Sequence, residues 1–345
     1  MKAGPTNSLV DVAGLRVGHA HRVGDGYRTG VSVVLAPPGG MVAGVDVRGA
    51  APGTRETELL DPRNLVERIH AVTLSGGSAY GLSAACGVME RLADAGVGFP
   101  VEGGVVPIVP AAVIYDLGRG GHFRAVPDGL LGAAAYDAAI ASLPAATGGD
   151  AFASAATLSG SVGAGAGAVA GGLAGGVGTA SAVLPSGVTV AALAVVNAAG
   201  SVLDPSGGFL SGTRYGLPGE FDHVREPAAE DYQAWRPAKV TSFNTTIGVV
   251  ATDLTLSKAQ CGKLAGVAHD GLARAIRPAH TMVDGDTVFG LATCARPAPD
   301  GTDLHDILAA GADVFSRAVA HAVLSATGRE GAPSYLDVFP SAKER

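Results

Sequence analysis

Charge is scarce in this chain. Only 16% of its 345 residues are Asp, Glu, Lys or Arg, against a usual quarter. Positive charge is the scarcer kind: Lys and Arg number 24 against 31 Asp and Glu, a net of −7. Such a chain offers no basic footprint for phosphates, which argues against nucleic acid as a partner. Lysine is missing between Lys2 and Lys239. Cysteine is rare too. Cys86, Cys261 and Cys294 are scattered and odd in number, which fits neither a disulfide scaffold nor a zinc site and points to a reducing, cytoplasmic setting. The most apolar segments, such as residues 188–196, are too short for a bilayer. Residues 1–11 lack the apolar stretch of a signal peptide, so neither membrane nor export is expected.

Common catalytic motifs are missing as well. No serine sits in G-x-S-x-G, which excludes a hydrolase nucleophile elbow of that type. The one Gly-Lys pair, Gly262-Lys263, is followed by Leu264, so there is no phosphate-binding P-loop. Residues 160–178 are glycine-rich but do not read G-x-G-x-x-G after a strand. No repeat of 20–50 residues is evident.

What the chain has in abundance is small and apolar. Gly accounts for 52 residues and hydrophobic residues for 47%. That is ample for a large core and excludes disorder. Strands are predicted at 30–36, 41–47 and 71–74, with an irregular loop over 48–60. Ser78 is placed to cap a helix running to about residue 95. Residues 105–115 read as strand and turn, and 133–141 as helix. Residues 188–202 read as a hairpin turning at 197–200. Residues 209–241 are polar and hold the only Trp, which suggests an exposed connection. The last 101 residues alternate strand (245–253), helix capped by Ser257 (to about 276), strand (288–294) and helix (303–326), half of an α/β domain. His269 and His305 fall inside helices, where surface or capping roles are expected.

Two stretches carry chemistry. In FNTTIG (243–248) a polar linker runs straight into a strand, with Thr245 at its head. In HTMVDGDT (280–287) Asp284 and Asp286 flank a glycine just before the next strand. A hydroxyl residue at a strand head, beside paired carboxylates, suggests an N-terminal nucleophile. A threonine hydroxyl is a poor nucleophile at neutral pH, but its own α-amine can serve as base once the chain is cut before it. On the residues alone, Asn-Thr before a strand is also ordinary turn chemistry. Asp284-Gly285-Asp286 also reads as a simple turn or a metal-binding pair.

Ordered motifs run nearly end to end. They include LVDVAGLRVGH (9–19), AGVDVRGAAPGTRETELLDP (43–62), LSGGSAYGLSAACGV (74–88), GVVPIVPAAVIYDL (104–117), GGVGTAS (175–181), VVNAAGSV (195–202), FNTTIGVVATD (243–253) and AHDGLARAIRPAHTMVDGDTVF (268–289). In these the chain resembles the DmpA-type aminopeptidase family, which includes β-aminopeptidases and the nylon-oligomer hydrolase. It is most similar to an actinobacterial branch of uncharacterised aminopeptidases. The resemblance implies a single α/β domain with an α/β/β/α layered, N-terminal-nucleophile-hydrolase-like fold. It implies self-cleavage between Asn244 and Thr245 into chains 1–244 and 245–345. It assigns Thr245 as nucleophile, Asn197 as oxyanion donor, and Asp284 and Asp286 as the groups that orient the Thr245 ammonium. Tyr115 would line the substrate pocket. No cofactor or metal is expected, and the cleaved units would assemble into a homo-oligomer, a tetramer of such units.

The implied activity is amide hydrolysis on small peptides, as an aminopeptidase. Polyamide-oligomer endohydrolysis, acyl transfer of the ornithine type and an inactive member are the alternatives. One departure stands out. Relatives in that family carry a lysine in the glycine-rich region, many of them just before GG[VI]GTAS, where this chain has Ala174. Slower cleavage and turnover are the expectation.

Overall fold

Apolar side chains alternate along the strands, so each strand presents one row to each face. This computed structural model describes residues 1–142, 158–237 and 243–343. Its main strands are β1 (Arg16–Gly24), β2 (Tyr27–Leu35), β3 (Val42–Val47), β4 (Thr54–Arg55), β5 (Ala71–Ser75), β6 (Ala111–Val113), β7 (Gly176–Val183), β8 (Thr189–Val196), β9 (Ile247–Leu254) and β10 (Thr287–Arg296). They form two five-stranded sheets, in the orders β1-β2-β5-β6-β4 and β7-β8-β9-β10-β3. The longer helices are α1 (Ala84–Asp94), α2 (Gly129–Ala141), α3 (Lys258–Ala275) and α4 (Gly301–Leu324).

Alternation sets the layers. On β8, Val190, Ala192, Ala194 and Val196 face α3 and α4, meeting Leu264, Ala268, Val314 and Phe315. The intervening Ala191, Leu193 and Val195 face the first sheet, where Val34, Val72, Leu74 and Ile114 lie. On β2, Val31, Val33 and Leu35 turn outward to Val88, Leu92, Leu131 and Ala135 of α1 and α2. The order is helix, sheet, sheet, helix: the expected α/β/β/α sandwich. The strand–helix–strand–helix reading of the C-terminal part holds, with β9 and β10 paired in parallel. Ser257 caps α3 through the Gln260 N–H, as expected.

Several expectations need correction. The hairpin is β7–β8, closed by Pro185-Ser186-Gly187, and the chain beyond Val196 does not return as a paired strand. Small residues make β7 a strand that helix α4 can rest upon. A Cβ added to Gly178 would lie 2.0 Å from the Ala318 carbonyl oxygen. Ser78 opens a 3-10 turn (Ser78–Ser83) at φ 52°, and α1 begins only at Ala84. β1 and β4 are additional strands, and β4 lies inside the loop expected at 48–60. His269 is fully buried, with its Nε2 2.9 Å from the Asp46 carbonyl oxygen, so it is not a surface residue.

The supposed exposed connection is only partly exposed. Leu210, Ser211, Leu217, Glu220 and Phe221 are buried. Glu220 accepts hydrogen bonds from Arg317 of α4 at 2.6 and 2.9 Å and from Asn7 at 2.8 Å, with His321 Nε2 at 2.7 Å. Arg317 also donates to the Ser181 carbonyl of β7 and to Asn7 Oδ1. One buried ionic cluster thus ties the N-terminal segment, the connection, β7 and α4. Residues 238–241 of that stretch lie outside the described residues. By length and apolarity α4 passes for a membrane span, yet 78% of its apolar window is buried against the sheet and α3, the position of a core helix.

Candidate active site

Strand direction gathers the site at one edge of the second sheet. β8 runs antiparallel to β9, with Val195 opposite Ile247. Its exit, Asn197, therefore lies beside the entry to β9, Thr245. β10 runs parallel to β9, with Thr287 beside Ile247, so the preceding Asp284 and Asp286 arrive at the same edge. β3 runs antiparallel to β10, with Val47 opposite Thr287, and delivers residues 48–51. Tyr115 and Arg119 follow β6 of the facing sheet.

Thr245 is buried at this edge. Its Oγ1 donates to the carbonyl oxygen of Asn244 at 2.6 Å. Its backbone N–H donates to the Asn197 carbonyl at 2.6 Å. The Asn244 N–H reaches the Val283 carbonyl at 3.1 Å, so the residue before Thr245 is held alongside Asp284.

The Asn197 amide is fully buried and oriented from both ends. Its Oδ1 accepts from Arg119 Nη1 and, at 3.1 Å, from the Val169 N–H. Its Nδ2 donates to the Tyr115 carbonyl at 3.1 Å. An amide has two N–H groups, so that arrangement leaves the second to serve another acceptor.

The paired aspartates are bound chiefly by N–H donors of their own turn. Asp284 Oδ2 accepts from the Thr281 N–H at 2.9 Å and its hydroxyl at 2.5 Å. Asp286 Oδ1 accepts from the Thr246 N–H at 2.8 Å, and its Oδ2 accepts from the His280 N–H at 3.0 Å and sits 2.8 Å from His280 Nδ1. Gly285 between them faces the Thr245 hydroxyl. A Cβ there would lie 3.0 Å from Thr245 Oγ1 and 2.5 Å from the Ala51 carbonyl oxygen. Gly285→Ala is therefore expected to displace the turn from Thr245 and, if the chain is cut before Thr245, to slow that cut at least about 10-fold, since small misplacements of reacting groups are costly. Band intensities over time on denaturing gels measure this.

A cavity of about 270 Å³ opens beside the hydroxyl, lined by Thr245, Ala51, Gly53, Ser78, Val113, Ile114, Tyr115 and Phe243. The Tyr115 and Phe243 rings meet at 5.9 Å. No lining side chain carries a charge. The expected site residues Thr245, Asn197, Asp284, Asp286 and Tyr115 are thus all brought to one place. Among the described residues, no group of three or more His, Cys, Asp or Glu is arranged to hold a metal ion.

Two neighbours were not foreseen. His280 pairs with Asp286, and its ring stands edge-on to His269 at 4.8 Å. Burial, the larger effect, pulls His269 down to about 4. Arg119 donates to Asn197 Oδ1, to Asn244 Oδ1 at 3.2 Å and to the Gly167 carbonyl at 2.7 Å. Burial lowers its pKa, while nearby Asp116 acts in the opposite sense. Asp116 itself is pushed up to about 6 by burial, although the Gly77 N–H donates to it at 2.6 Å. The available signal for Arg119 was a single basic residue among glycines, GRGG at 118–121, in a chain poor in positive charge. Ala174 is fully buried against Ala326 and Ala332, with its N–H on the Pro333 carbonyl. A lysine there would have to enter this packed cluster of small residues. The cation beside Asn197 comes from a different segment.

The model of peptidase family S58 matches residues 7–334. An uncharacterised aminopeptidase of Mycobacterium bovis is 49% identical over 360 aligned positions, covering 97% of this chain and 99% of that protein. A 6-aminohexanoate-oligomer endohydrolase of a Kocuria species is 30% identical, covering 82% and 74%. The L-aminopeptidase D-Ala-esterase/amidase of Ochrobactrum anthropi, described as a variant of the Ntn hydrolase fold, superposes with a TM-score of 0.68 at 22% identity over 94% of this chain and 88% of its own. A family match over nearly the whole chain, together with a relative of this identity and coverage, places the protein in peptidase family S58, as a hydrolase of peptide bonds.

Proposed function

We propose that the chain is the precursor of an aminopeptidase that cuts itself between Asn244 and Thr245 and then uses Thr245 as an N-terminal nucleophile. The observation that carries this reading is the Thr245 hydroxyl, 2.6 Å from the carbonyl oxygen of Asn244 at the wall of a cavity. Thr245 Oγ attacks the Asn244 carbonyl carbon. The Asn244–Thr245 C–N bond breaks, and the departing nitrogen takes a proton to become the Thr245 amine. Water then hydrolyses the resulting ester, leaving a carboxylate on Asn244 and a free hydroxyl on Thr245. The products are chains 1–244 and 245–345.

In turnover the same hydroxyl attacks a substrate amide. The α-amine takes the hydroxyl proton and passes it to the departing amine. An acyl ester on Thr245 forms, and water, deprotonated by the same α-amine, releases the acid. The Asn197 carbonyl, already on the Thr245 nitrogen, holds that amine. The second N–H of Asn197 Nδ2 serves the oxyanion. Asp284 and Asp286, on either side of Gly285, put negative charge near the α-ammonium and favour its protonated form. Tyr115 and Phe243 bound the space for the acyl group.

Denaturing gels and amino-terminal sequencing test the cut. Two bands are expected, the smaller beginning Thr-Thr-Ile-Gly. A single full-length band after prolonged incubation overturns the reading. Similarity to the oligomer endohydrolase favours a second substrate class with the same chemistry. Parallel assays on amino-acid anilides and on 6-aminohexanoate oligomers decide between them, with the anilides expected to be hydrolysed faster.

A further inference from the structure

The guanidinium of Arg119 touches both the Asn197 amide and the side chain of Asn244, the residue before the proposed cut. We infer that Arg119 is a positioning residue for the oxyanion donor: it holds Asn197 Oδ1 so that Nδ2 faces the developing negative charge. This rests on Thr245 as nucleophile and Asn197 as oxyanion donor.

The amide of an asparagine is nearly symmetric in shape, so something must decide which end is oxygen. Here the decision is made by charge. Arg119 Nη1 and the Val169 N–H are both donors, and both point at one atom of the amide, which must then be the oxygen. The other end, Nδ2, is left as the donor toward the reacting side, steadied by the Tyr115 carbonyl. A planar guanidinium can serve several acceptors in fixed directions, where an ammonium is a point charge. Arg119 uses this: one arm serves Asn197 and Gly167, the other Asn244. Its position is itself braced. Arg329 donates to the same Gly167 carbonyl at 3.1 Å and to Ala168 at 2.7 Å, closing the loop that carries Val169. Asp116, three residues before Arg119 and buried, supplies opposite charge.

The contact with Asn244 gives Arg119 a second consequence. In the precursor it fixes the side chain of the residue whose carbonyl is attacked, so it acts on cleavage as well as on turnover. Loss of the guanidinium should therefore slow both steps in the same protein, whereas a residue concerned only with substrate fit would change turnover alone.

Arg119→Ala, Arg119→Lys and wild type are compared for the half-time of chain cleavage and for kcat and KM on an anilide substrate. Arg119→Ala is expected to slow cleavage and kcat each by on the order of 10²–10³-fold, the range seen when an oxyanion donor is lost. KM should change little, because the defect is in the transition state. Guanidinium chloride at millimolar concentration should restore part of the rate to Arg119→Ala, and equal sodium chloride should not. Arg119→Lys keeps the charge and loses the fork, and should fall between the two. If Arg119→Ala folds and cleaves and turns over within about threefold of wild type, well short of the loss expected of an oxyanion donor, the inference is overturned. If Arg119→Ala does not fold, Arg119→Lys with a wild-type kcat overturns it equally. Failure of the underlying reading has a different signature: wild type itself stays uncut, whatever residue 119 is.

Discussion

Thr245→Ala is expected to remain a single chain of 345 residues indefinitely, with amide hydrolysis reduced by on the order of 10⁶-fold, the loss seen when a covalent nucleophile is removed. The substitution removes the hydroxyl that lies 2.6 Å from the Asn244 carbonyl oxygen, and no other side chain in the cavity lining except Ser78 and Tyr115 carries a hydroxyl. The same change deletes a methyl group and a hydroxyl from a core of this size. Such deletions cost about 0.5–3 kcal/mol, too little to unfold it. Circular dichroism and the melting temperature should therefore stay near wild type while the gel shows one band. Thr245→Ser keeps the hydroxyl and should still be cut. A Thr245→Ala protein that yields the two chains at the wild-type rate would place the nucleophile elsewhere.

Glu220→Gln should be strongly destabilising for so conservative a change. Glu220 and Arg317 have no solvent exposure, and the guanidinium meets both carboxylate oxygens. Neutralising one member leaves the other charge buried without its partner, at a cost of about 3–5 kcal/mol. Melting temperatures shift by about 2–4 °C per kcal/mol in domains of 150–250 residues and less in longer ones, so for a chain of this length a fall of roughly 4–7 °C is expected. Thr245→Ala is the background for this measurement, because it keeps both parts in one covalent chain.

The pair also sets an acid limit. Burial alone would raise the Glu220 pKa, but hydrogen bonds from His321 and Arg317, with their charges, outweigh it and hold the carboxyl at about 2. An ordinary glutamate titrates near 4.5. A depressed carboxyl stabilises the fold fully above its unfolded value and loses that contribution as pH falls toward the folded one. The melting temperature of the Glu220 protein should thus drop steeply between about pH 4.5 and 2, and that of Glu220→Gln should drop less over the same window. Parallel pH curves would mean that the carboxylate contributes nothing specific.

Much of this was legible from residue order. Strand β9 begins at Ile247 because β-branched and apolar residues follow the polar FNTT, and Thr245 at its head is visible in the same six letters. Ser257 with Gln260 three residues on is a local capping pair, so α3 could be placed without any tertiary knowledge. The hairpin was harder. Gly176–Val183 is poor in strand-forming side chains, and it is a strand because α4 lies close upon it. Propensity gave no warning, since packing against a helix is a non-local effect.

By itself, then, the sequence determined the strands and helices of the C-terminal part, Thr245 at its strand head, the candidate Asn197, the paired aspartates and the motifs that mark the family. Each of these is written within a dozen neighbouring residues, as periodicity, a turn or a motif. Only the tertiary structure decided which cation stands beside Asn197 and what lies behind the aspartates. Arg119 is 78 residues from Asn197 and 125 from Asn244, and Glu220 is 97 from Arg317. Apart from the glycines around Arg119, nothing local distinguishes these charged residues from exposed ones. Their partners are chosen by strand direction and by the loss of water on burial, which make an unpaired charge costly and a paired one specific.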